Sequence, residues 1–320
     1  MMQCGLAMLA LGMLLCGLVP AYWPVFAGLV IASFGKIVFD PALQALVGLT
    51  VPYSRRGRVI GILEMSWAGS TLIGIPALAL IIDRAGLQAS FLVLALLGGI
   101  GWLGVGRTIA AGGQKVAARD GRSGISRNLL SLMKSRPAAG MLAFGFWISI
   151  ANDSLFVVYG AWFEHAFLAS IVTIGFSTIA IGGAEFLGES LTTLLSDRIG
   201  LKRSVLIGLF LAICAYLLLP FVSRSLTLAM TGMFLVFLTF EFTVVTSFSL
   251  CTELLPDSRA TMMAGFYAAA GIGRMIGVVI GGLLWQTGGI SSVCLASAVL
   301  TCLGLVSVTW GLKNWHPDGS

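Results

Sequence analysis

The sequence predicts an all-α integral membrane protein with about ten transmembrane helices, four before a basic linker and six after it. Hydrophobic residues make up 58% of the 320 residues and charged residues only 10%, whereas about 25% of the residues in a soluble domain are charged. Apolar stretches of about 20 residues, the length that crosses a bilayer as a helix, follow one another along the chain. Lipid is therefore the expected solvent for most of the outer surface.

The first four predicted helices are joined by short turns and cover residues 3–19, 22–50, 58–82 and 88–108. A secretory leader begins with basic residues and ends at a small-residue cleavage site before a polar domain. Neither feature surrounds the segment 3–19, and a second apolar segment follows at once. We therefore expect this segment to be the first membrane helix and not a cleaved leader.

A basic, glycine-containing stretch separates these helices from six further ones. The six cover residues 138–162, 169–195, 203–221, 225–254, 260–286 and 290–312. Because the other connections are short, consecutive helices should be antiparallel neighbours. The predicted domains are a partial N-terminal bundle of four helices (1–108), a cytoplasmic linker (109–137) and a C-terminal six-helix bundle (138–320).

Basic residues fall on one side of the predicted membrane. All but four of the 19 Lys and Arg residues lie in alternate loops, in the linker or in the tail, the four being Lys36, Arg84, Arg224 and Arg274. Because short cytoplasmic loops carry an excess of positive charge, this side is assigned to the cytoplasm. An even number of helices then places both termini in the cytoplasm. The protein itself is expected in the inner (plasma) membrane. The net charge of +6 reflects this topology, so no nucleic-acid partner is expected.

Cysteine and histidine residues give no sign of a metal site or a disulfide framework. The six cysteines all lie in apolar stretches without a CxxC pair, and the two histidines, His165 and His316, are far from them in sequence. The chain has no HExxH motif and no P-loop, which argues against a metalloenzyme and against ATP hydrolysis by this chain. We therefore expect neither a cofactor nor an enzymatic activity.

The two halves of the chain resemble each other. A shift of 204 residues superimposes the turn Pro52–Arg55 on the turn Pro256–Arg259. The same shift aligns Gly61 with Gly265, Gly69 with Gly273 and Leu80 with Leu284. Duplicated helix bundles are typical of secondary transporters. Three helices precede the second copy within its half but only one precedes the first, so the first half lacks two helices.

The loop from Thr193 to Arg203 carries a resemblance to a known family. Its sequence, TLLSDRIGLKR, resembles the G-x-L-x-D-R-x-G-R-K loop of the major facilitator superfamily, in the copy that belongs to the second half. The matching positions are Leu195, Asp197, Arg198, Gly200 and Lys202. Thr193 replaces the leading glycine of that motif, and Leu201 replaces its first basic residue.

Three further stretches are similar to the same family: Asp40–Gln44, Pro52–Arg58 with its R-R-G turn, and Gly69–Pro76 with the glycine–proline pattern found in many of its exporters. The resemblance covers essentially the whole chain, which corresponds to helices three to twelve of a twelve-helix fold. The chain is therefore expected to be a shortened gene product or to have a mis-assigned start. It implies a monomeric secondary transporter, of permease, efflux or antiporter type, that works by alternating access.

Ionisable side chains inside membrane helices are costly and are therefore candidates for function. The predicted substrate and proton cavity contains Lys36, Asp40, Glu64, Trp67, Asp153, Glu241 and Arg274. Carboxylates in such a cavity can take up and release protons, so a proton gradient is the expected driving force. Lys36 and Asp40 are four residues apart and can neutralise each other on one helix face, and a purely structural pair is the alternative.

A second predicted set forms a gating region at the cytoplasmic side. Its members are Arg55, Arg56, Arg58, Glu185, Glu189, Asp197, Arg198, Gly200, Lys202 and Arg203. The family resemblance implies that the aspartate of the D-R-x-G loop contacts the start of a helix from the other half. Its charge would suit a positive helix N-terminus near Arg58, and the contact would act as a conformational latch. The alternative is a cytoplasmic turn that serves topology alone.

Two other classes of protein remain open. A membrane protein that does not transport, such as an interaction partner, is compatible with the two missing helices. A channel would need a repeated filter, which the sequence does not show. The expected partners are the lipid bilayer, a small-molecule substrate and a proton. Charged cavity residues favour a polar or ionic substrate. The aromatic lining is also compatible with a lipophilic substrate.

Overall fold

A computed structural model describes residues 2–50, 69–112, 134–254, 259–313 and 315, and these residues are almost entirely helical. The helices are α1 (Met2–Leu18), α2 (Tyr22–Thr50), α3 (Ile75–Gly112), α4 (Arg136–Phe167), α5 (Ile171–Ile199), α6 (Leu201–Val222), α7 (Leu226–Leu254) and α8 (Arg259–Gly311), with a π-helical turn over Ser70–Gly74 directly before α3. Within the described ranges, seven helical stretches are long and apolar enough to cross a membrane, and α1 is a shorter apolar helix.

Two glycines interrupt the longest helices. Gly86 has φ 82° and ψ 170° and divides α3 into the segments 75–85 and 87–112. Gly289 has φ 62° and ψ −158° and divides α8 into a first arm, 259–288, and a second arm, 290–311. A positive φ is readily adopted only by glycine. Both breaks fall between segments that the sequence analysis predicted as separate helices.

Helix extends into both ends of the predicted linker. The α3 helix continues to Gly112 and α4 begins at Arg136, whereas the linker was expected to span 109–137. Pro137 lies in the first turn of α4, where its missing N–H leaves no hydrogen bond unmade. The start of α4 is therefore earlier than the apolar pattern predicted, because a basic first turn is still helical.

The described chain divides into two compact units, the first formed by Met1–Arg119 with Ile171–Phe176. In the first unit, α1 packs against α2 and α3. A Cβ added at Gly12 would overlap the Gly28 carbonyl oxygen, and one added at Gly5 would lie 2.6 Å from the Gly35 carbonyl oxygen. Small residues thus allow the backbones of α1 and α2 to approach closely, as is usual between membrane helices.

The second unit comprises Asp120–Ser170 with Ser177–Ser320. Both arms of α8 belong to it, and α8 packs extensively against α4 and also against α6. Its apolar core is formed by fully buried side chains, among them Met141, Phe144, Leu209, Leu250, Met262 and Val308. Gly140 and Gly311 face each other without room for a Cβ on either residue. This packing fixes the central part of α4, where the polar residues of the second unit are found.

Candidate functional site

The centre of α4 carries a run of buried polar side chains. Ser149, Asn152 and Asp153 are each 7% exposed, and Ser154 is fully buried. These residues lie near the middle of a helix of 32 residues that is long and apolar enough to cross a membrane. Because hydrocarbon offers no hydrogen bonds, polar groups at this depth need partners from the protein or from enclosed water.

Asp153 is paired with Arg274 of the first arm of α8. The Arg274 Nε donates a hydrogen bond to Asp153 Oδ1 at 3.1 Å. The two side chains differ in exposure. Taken without the backbone, the Asp153 side chain is 10% exposed and the Arg274 side chain is 64% exposed. The carboxylate is therefore the buried member of the ion pair, and the guanidinium is its exposed member.

Glycines of α8 allow this pair to form. Gly273, Gly277 and Gly281 follow one another at intervals of four residues, and each lies directly on the backbone of α4. A Cβ added at Gly277 would lie 2.7 Å from the Ile150 carbonyl oxygen and 3.2 Å from Asp153 Cβ. The close approach brings the stem of Arg274 within reach of the Asp153 carboxylate.

Serine hydroxyls connect α4 to both arms of α8. The Ser154 hydroxyl is placed to donate to the Gly277 carbonyl oxygen at 3.0 Å, in addition to the Ile150 carbonyl oxygen of its own helix at 2.7 Å. From the second arm, the Ser297 hydroxyl donates to the Ala151 carbonyl oxygen at 2.8 Å. These bonds hold the polar centre of α4 between the two arms.

Two buried polar atoms beside this centre have no hydrogen-bond partner within the described part of the chain. They are Asn152 Oδ1 and the hydroxyl of Tyr216. Tyr216 belongs to α6 and interacts electrostatically with Asp153 and with Cys294 of the second arm. Asp153 is therefore surrounded by polar groups from α4, α6 and both arms of α8.

A second polar region lies where α5 crosses α7. A Cβ added at Gly188 would lie 2.9 Å from Glu241 Cβ, so Glu241 packs directly against the segment of α5 that contains Glu185 and Glu189. All three glutamates are half-buried. One turn further along α5, the Thr192 hydroxyl lies 3.4 Å from the Thr246 hydroxyl of α7.

The loop with the D-R-x-G motif is a tight turn between α5 and α6. Gly200 has φ 91°, its N–H donates to the Ser196 carbonyl oxygen at 2.9 Å, and its own carbonyl accepts from the Ser204 N–H at 2.9 Å. Lys202 donates to the Leu312 carbonyl oxygen at 2.5 Å. Arg198 and Arg203 are exposed. The motif therefore closes one helix, opens the next and reaches the end of α8.

The structure describes some of the predicted site residues. Lys36 is half-buried in α2, and the backbones of Asp40 and Asp197 are helical while their side chains are outside the described set. The remaining predicted residues that lie outside the described ranges are Arg55, Arg56, Arg58, Glu64 and Trp67. The structure brings Asp153 to Arg274, and Glu241 to the segment that carries Glu185 and Glu189.

Sequence reasoning missed three features of the site: the pairing of Asp153 with Arg274, the Ser297 hydrogen bond, and the attachment of Lys202 to the end of α8. A signal for the first was present, since among their central residues α4 carries one aspartate, Asp153, and the first arm of α8 carries one arginine, Arg274. Opposite charges at similar depth in two membrane helices tend to neutralise each other. The other two features involve backbone carbonyls, which no side-chain pattern reveals.

A bundle of apolar helices with paired charges at mid-helix depth defines a multi-pass membrane protein of the transporter class. The sequence model of the Major Facilitator Superfamily matches residues 1–183 and 141–318, and the chain belongs to this superfamily. The family points to a membrane transporter. The predicted family resemblance is therefore confirmed.

Relatives in bacteria are also transporters by name. The chain is 23% identical over 312 residues to the uncharacterized MFS-type transporter YwfA of Bacillus subtilis, which covers 97% of this chain and 76% of that protein. It is 30% identical over 190 residues to the enterobactin exporter EntS of Shigella flexneri, which covers 56% of this chain and 46% of that protein.

Solved structures show the same fold. A POT family transporter in complex with a thioalcohol-conjugated peptide matches with a TM-score of 0.73 and 15% identity, over 98% of this chain and 81% of that chain. A bacterial homolog of the human lysosomal transporter Spinster, in an inward-facing and occupied conformation, matches with a TM-score of 0.68 and 16% identity, over 98% of this chain and 79% of that one.

Proposed function

We propose that this chain is a proton-coupled secondary transporter that moves a small organic solute across the plasma membrane by alternating access. The observation that carries the proposal is the ion pair between Asp153 and Arg274, which lies near the middle of α4 and of the first arm of α8. A charged side chain at the centre of a membrane helix costs about 2.5–3.5 kcal/mol on insertion scales. The exposure of the Arg274 guanidinium at that depth is explained if this face of α8 borders a water-filled path.

Efflux is the proposed direction of transport. The support is the similarity to the enterobactin exporter EntS over 190 residues, together with the glycine–proline pattern at Gly69–Pro76. Antiport of a proton against the solute follows for a solute without negative charge, whereas an anionic solute that binds together with a proton would leave with it, down the outward gradient of the solute. The solute of EntS itself belongs to that protein, and this chain need not share it.

The proposed topology has ten membrane-spanning segments with both termini in the cytoplasm. The breaks at Gly86 and Gly289 support the division of α3 and α8 into two segments each. The segments then form a four-helix group before the basic linker and a six-helix group after it. The cavity would be lined by the seven predicted residues Lys36, Asp40, Glu64, Trp67, Asp153, Glu241 and Arg274.

The gating region is proposed to include Asp197, Arg198 and Gly200. The tight turn at Gly200 supports a fixed geometry for this loop, and Glu185 and Glu189 precede it on α5. In this proposal, the carboxylate of Asp197 binds the N-terminus of a helix of the first half near Arg58 and is released when the cytoplasmic side opens. The other gating residues would set the charge of the same surface.

Alternating access can be tested without knowledge of the substrate. We would introduce Gly271→Cys into a protein whose native cysteines are replaced, because a Cβ at Gly271 meets no atom within 4 Å and Arg274 is one turn away. A membrane-impermeant thiol reagent is then applied to right-side-out and to inside-out vesicles. A transporter is labelled from both faces, since its path opens to each side in turn.

A matched control is Phe210→Cys on α6, where the native side chain is 60% exposed and is expected to face lipid. Labelling of this variant should fail from both faces. If Gly271→Cys is equally unreactive from both faces, the chain is a membrane protein without a transport path, which is the second candidate function. Labelling from one face alone would also contradict alternating access.

A further inference from the structure

We propose that Arg274 and Asp153 form a binding site for a carboxylate monoanion, and that Asp153 takes up one proton when the anion binds. This inference rests on the proposed transport function and specifies its substrate class. The substrate would be a small organic acid that presents its carboxylate to Arg274. Proton and anion would then occupy the site together.

The free edge of the guanidinium supports an anion site. An arginine carries five N–H donors in a planar fork, and Arg274 uses its Nε for Asp153. Within the described residues, the Nη1 and Nη2 groups make no hydrogen bond. The edge formed by these two groups matches the two oxygens of a carboxylate in a bidentate arrangement. Asp153 thus orients the guanidinium from one side and leaves the opposite edge for a ligand.

The surroundings of Arg274 leave room for such a ligand. The guanidinium is the exposed member of the pair, with 64% of its side chain exposed. One turn earlier on the same arm, a Cβ at Gly271 would meet nothing within 4 Å. On α4, Asn152 is 7% exposed and its Oδ1 has no partner in the described part of the chain. An unpartnered buried acceptor next to Asp153 provides a hydrogen-bond acceptor for a protonated ligand group or for a water molecule.

Charge balance favours a monoanion. The pair of Arg274 and Asp153 is neutral as it stands, so a dianion would add two negative charges to a site of low dielectric constant, at a high solvation cost. A monoanion adds one negative charge, and one proton on Asp153 restores neutrality. The overall step is the binding of one carboxylate and one proton, with Arg274 remaining positively charged throughout.

Among the described residues around the ion pair, Asp153 is the group that suits the proton. The titratable or charged groups that face it in the described structure are Arg274 from the first arm of α8 and Tyr216 from α6, with Cys294 of the second arm close to Tyr216. Phenol and thiol groups are ordinarily neutral at pH 7, and arginine stays protonated. Uptake of a proton by this cluster therefore falls on the carboxylate.

The test uses the full chain, purified in detergent, and calorimetric titration with benzoate and with benzamide. Benzamide has the same shape as benzoate but no charge, so it should not bind. Benzoate should bind with the uptake of one proton, which is measured by repeating the titration in two buffers of different ionisation enthalpy. Its dissociation constant should rise about tenfold for each unit of pH while Asp153 is ionised in the empty site.

Three variants complete the test. Arg274→Lys keeps the charge but loses the bidentate edge, and should weaken benzoate binding by about tenfold or more. Asp153→Asn should bind benzoate without proton uptake and with an affinity independent of pH. Arg224→Lys, which alters an exposed arginine between α6 and α7, should bind as the native protein does.

Several results would overturn the inference: equal binding of benzoate and benzamide, no binding of either compound at millimolar concentration, native affinity in Arg274→Lys, or proton uptake that persists in Asp153→Asn. The comparison of benzoate with benzamide and the proton count need only the native chain, so they decide the question even if a variant does not fold. Labelling of Gly271→Cys from both faces without benzoate binding would refute this inference and leave the transport function standing. Benzoate binding without two-sided labelling would support the anion site and refute the transport function.

Discussion

Lys202 at the start of α6 donates a hydrogen bond from its Nζ to the carbonyl oxygen of Leu312, directly after the end of α8, at 2.5 Å. The last carbonyl groups of a helix have no partner within the helix, and a cation near this end is favourable. Close by, the guanidinium carbon of Arg136 lies 5.2 Å from the ring centroid of Trp310. The end of α8 is thus held by cations from α4 and α6.

Replacement of Lys202 should loosen this end of the second unit. Lys202→Met keeps the apolar stem and removes the ammonium, and we expect a loss of about 1 kcal/mol of stability. The measurement is the midpoint of thermal unfolding of the purified protein in detergent. Arg203→Met is the matched control, because Arg203 is an exposed neighbour and its removal should leave the midpoint unchanged. Equal midpoints for the two variants would refute a fastening role for Lys202.

The bounds of the helices could be predicted from the sequence because the bilayer sets the length of an apolar helix. The predicted segments 203–221 and 225–254 differ from α6 and α7 by at most two residues at each end, whereas α4 continues to Phe167, beyond the predicted end at 162. The breaks at Gly86 and Gly289 could also be expected, since a change of direction between two short-linked helices favours a residue that tolerates a positive φ.

The pairing of the charged residues could not be predicted. Asp153 and Arg274 are 121 residues apart in sequence, and hydrophobic periodicity is weak in helices that are apolar on most sides. The sequence therefore indicates which residues lie at mid-depth but leaves open which helix faces which. The close approach that brings them together depends on Gly277, whose partner is the backbone of α4 and has no signature in the sequence.

Gly277 should be intolerant of even a methyl group. In Gly277→Ala the new Cβ would lie 2.7 Å from the Ile150 carbonyl oxygen and 3.0 Å from Ile150 Cα, so α4 and α8 must move apart. We expect a loss of about 1–3 kcal/mol from this overpacking, seen as a lower unfolding midpoint. A larger separation would also lengthen the Asp153–Arg274 hydrogen bond.

Gly282 on the same arm provides the control, because a Cβ there would meet nothing within 4 Å. Gly282→Ala should be neutral or stabilising by up to about 1 kcal/mol, since alanine has the higher helix propensity. Equal destabilisation by both substitutions would show that the backbone contact at Gly277 is not the cause.

The Ser297 hydroxyl should stabilise the contact between the second arm of α8 and α4. It is fully buried and donates to the Ala151 carbonyl oxygen, and hydrogen bonds between membrane helices contribute about 0.6 kcal/mol on average, with a maximum of about 1.7 kcal/mol. Ser297→Ala should lower the unfolding midpoint accordingly. Ser307→Ala is the comparison, because in the described part of the chain the Ser307 hydroxyl bonds to Leu303 of its own helix, and it should have no effect. The opposite order of effects would contradict the assignment.

Two tyrosines of the second unit offer a test with opposite signs. The Tyr216 hydroxyl is buried without a hydrogen-bond partner in the described part of the chain, whereas the Tyr159 hydroxyl forms a side-chain hydrogen bond with Ser177. A buried polar group that lacks a partner costs about 1–3 kcal/mol. Tyr216→Phe removes that cost, so the unfolding midpoint should rise or stay the same. Tyr159→Phe breaks a formed bond, so the midpoint should fall. If Tyr216→Phe instead destabilises the protein as strongly as Tyr159→Phe does, the Tyr216 hydroxyl has a partner such as an enclosed water molecule. In that case the polar centre around Asp153 is hydrated in the resting protein, and the loss of benzoate binding in Tyr216→Phe would show that this water belongs to the anion site.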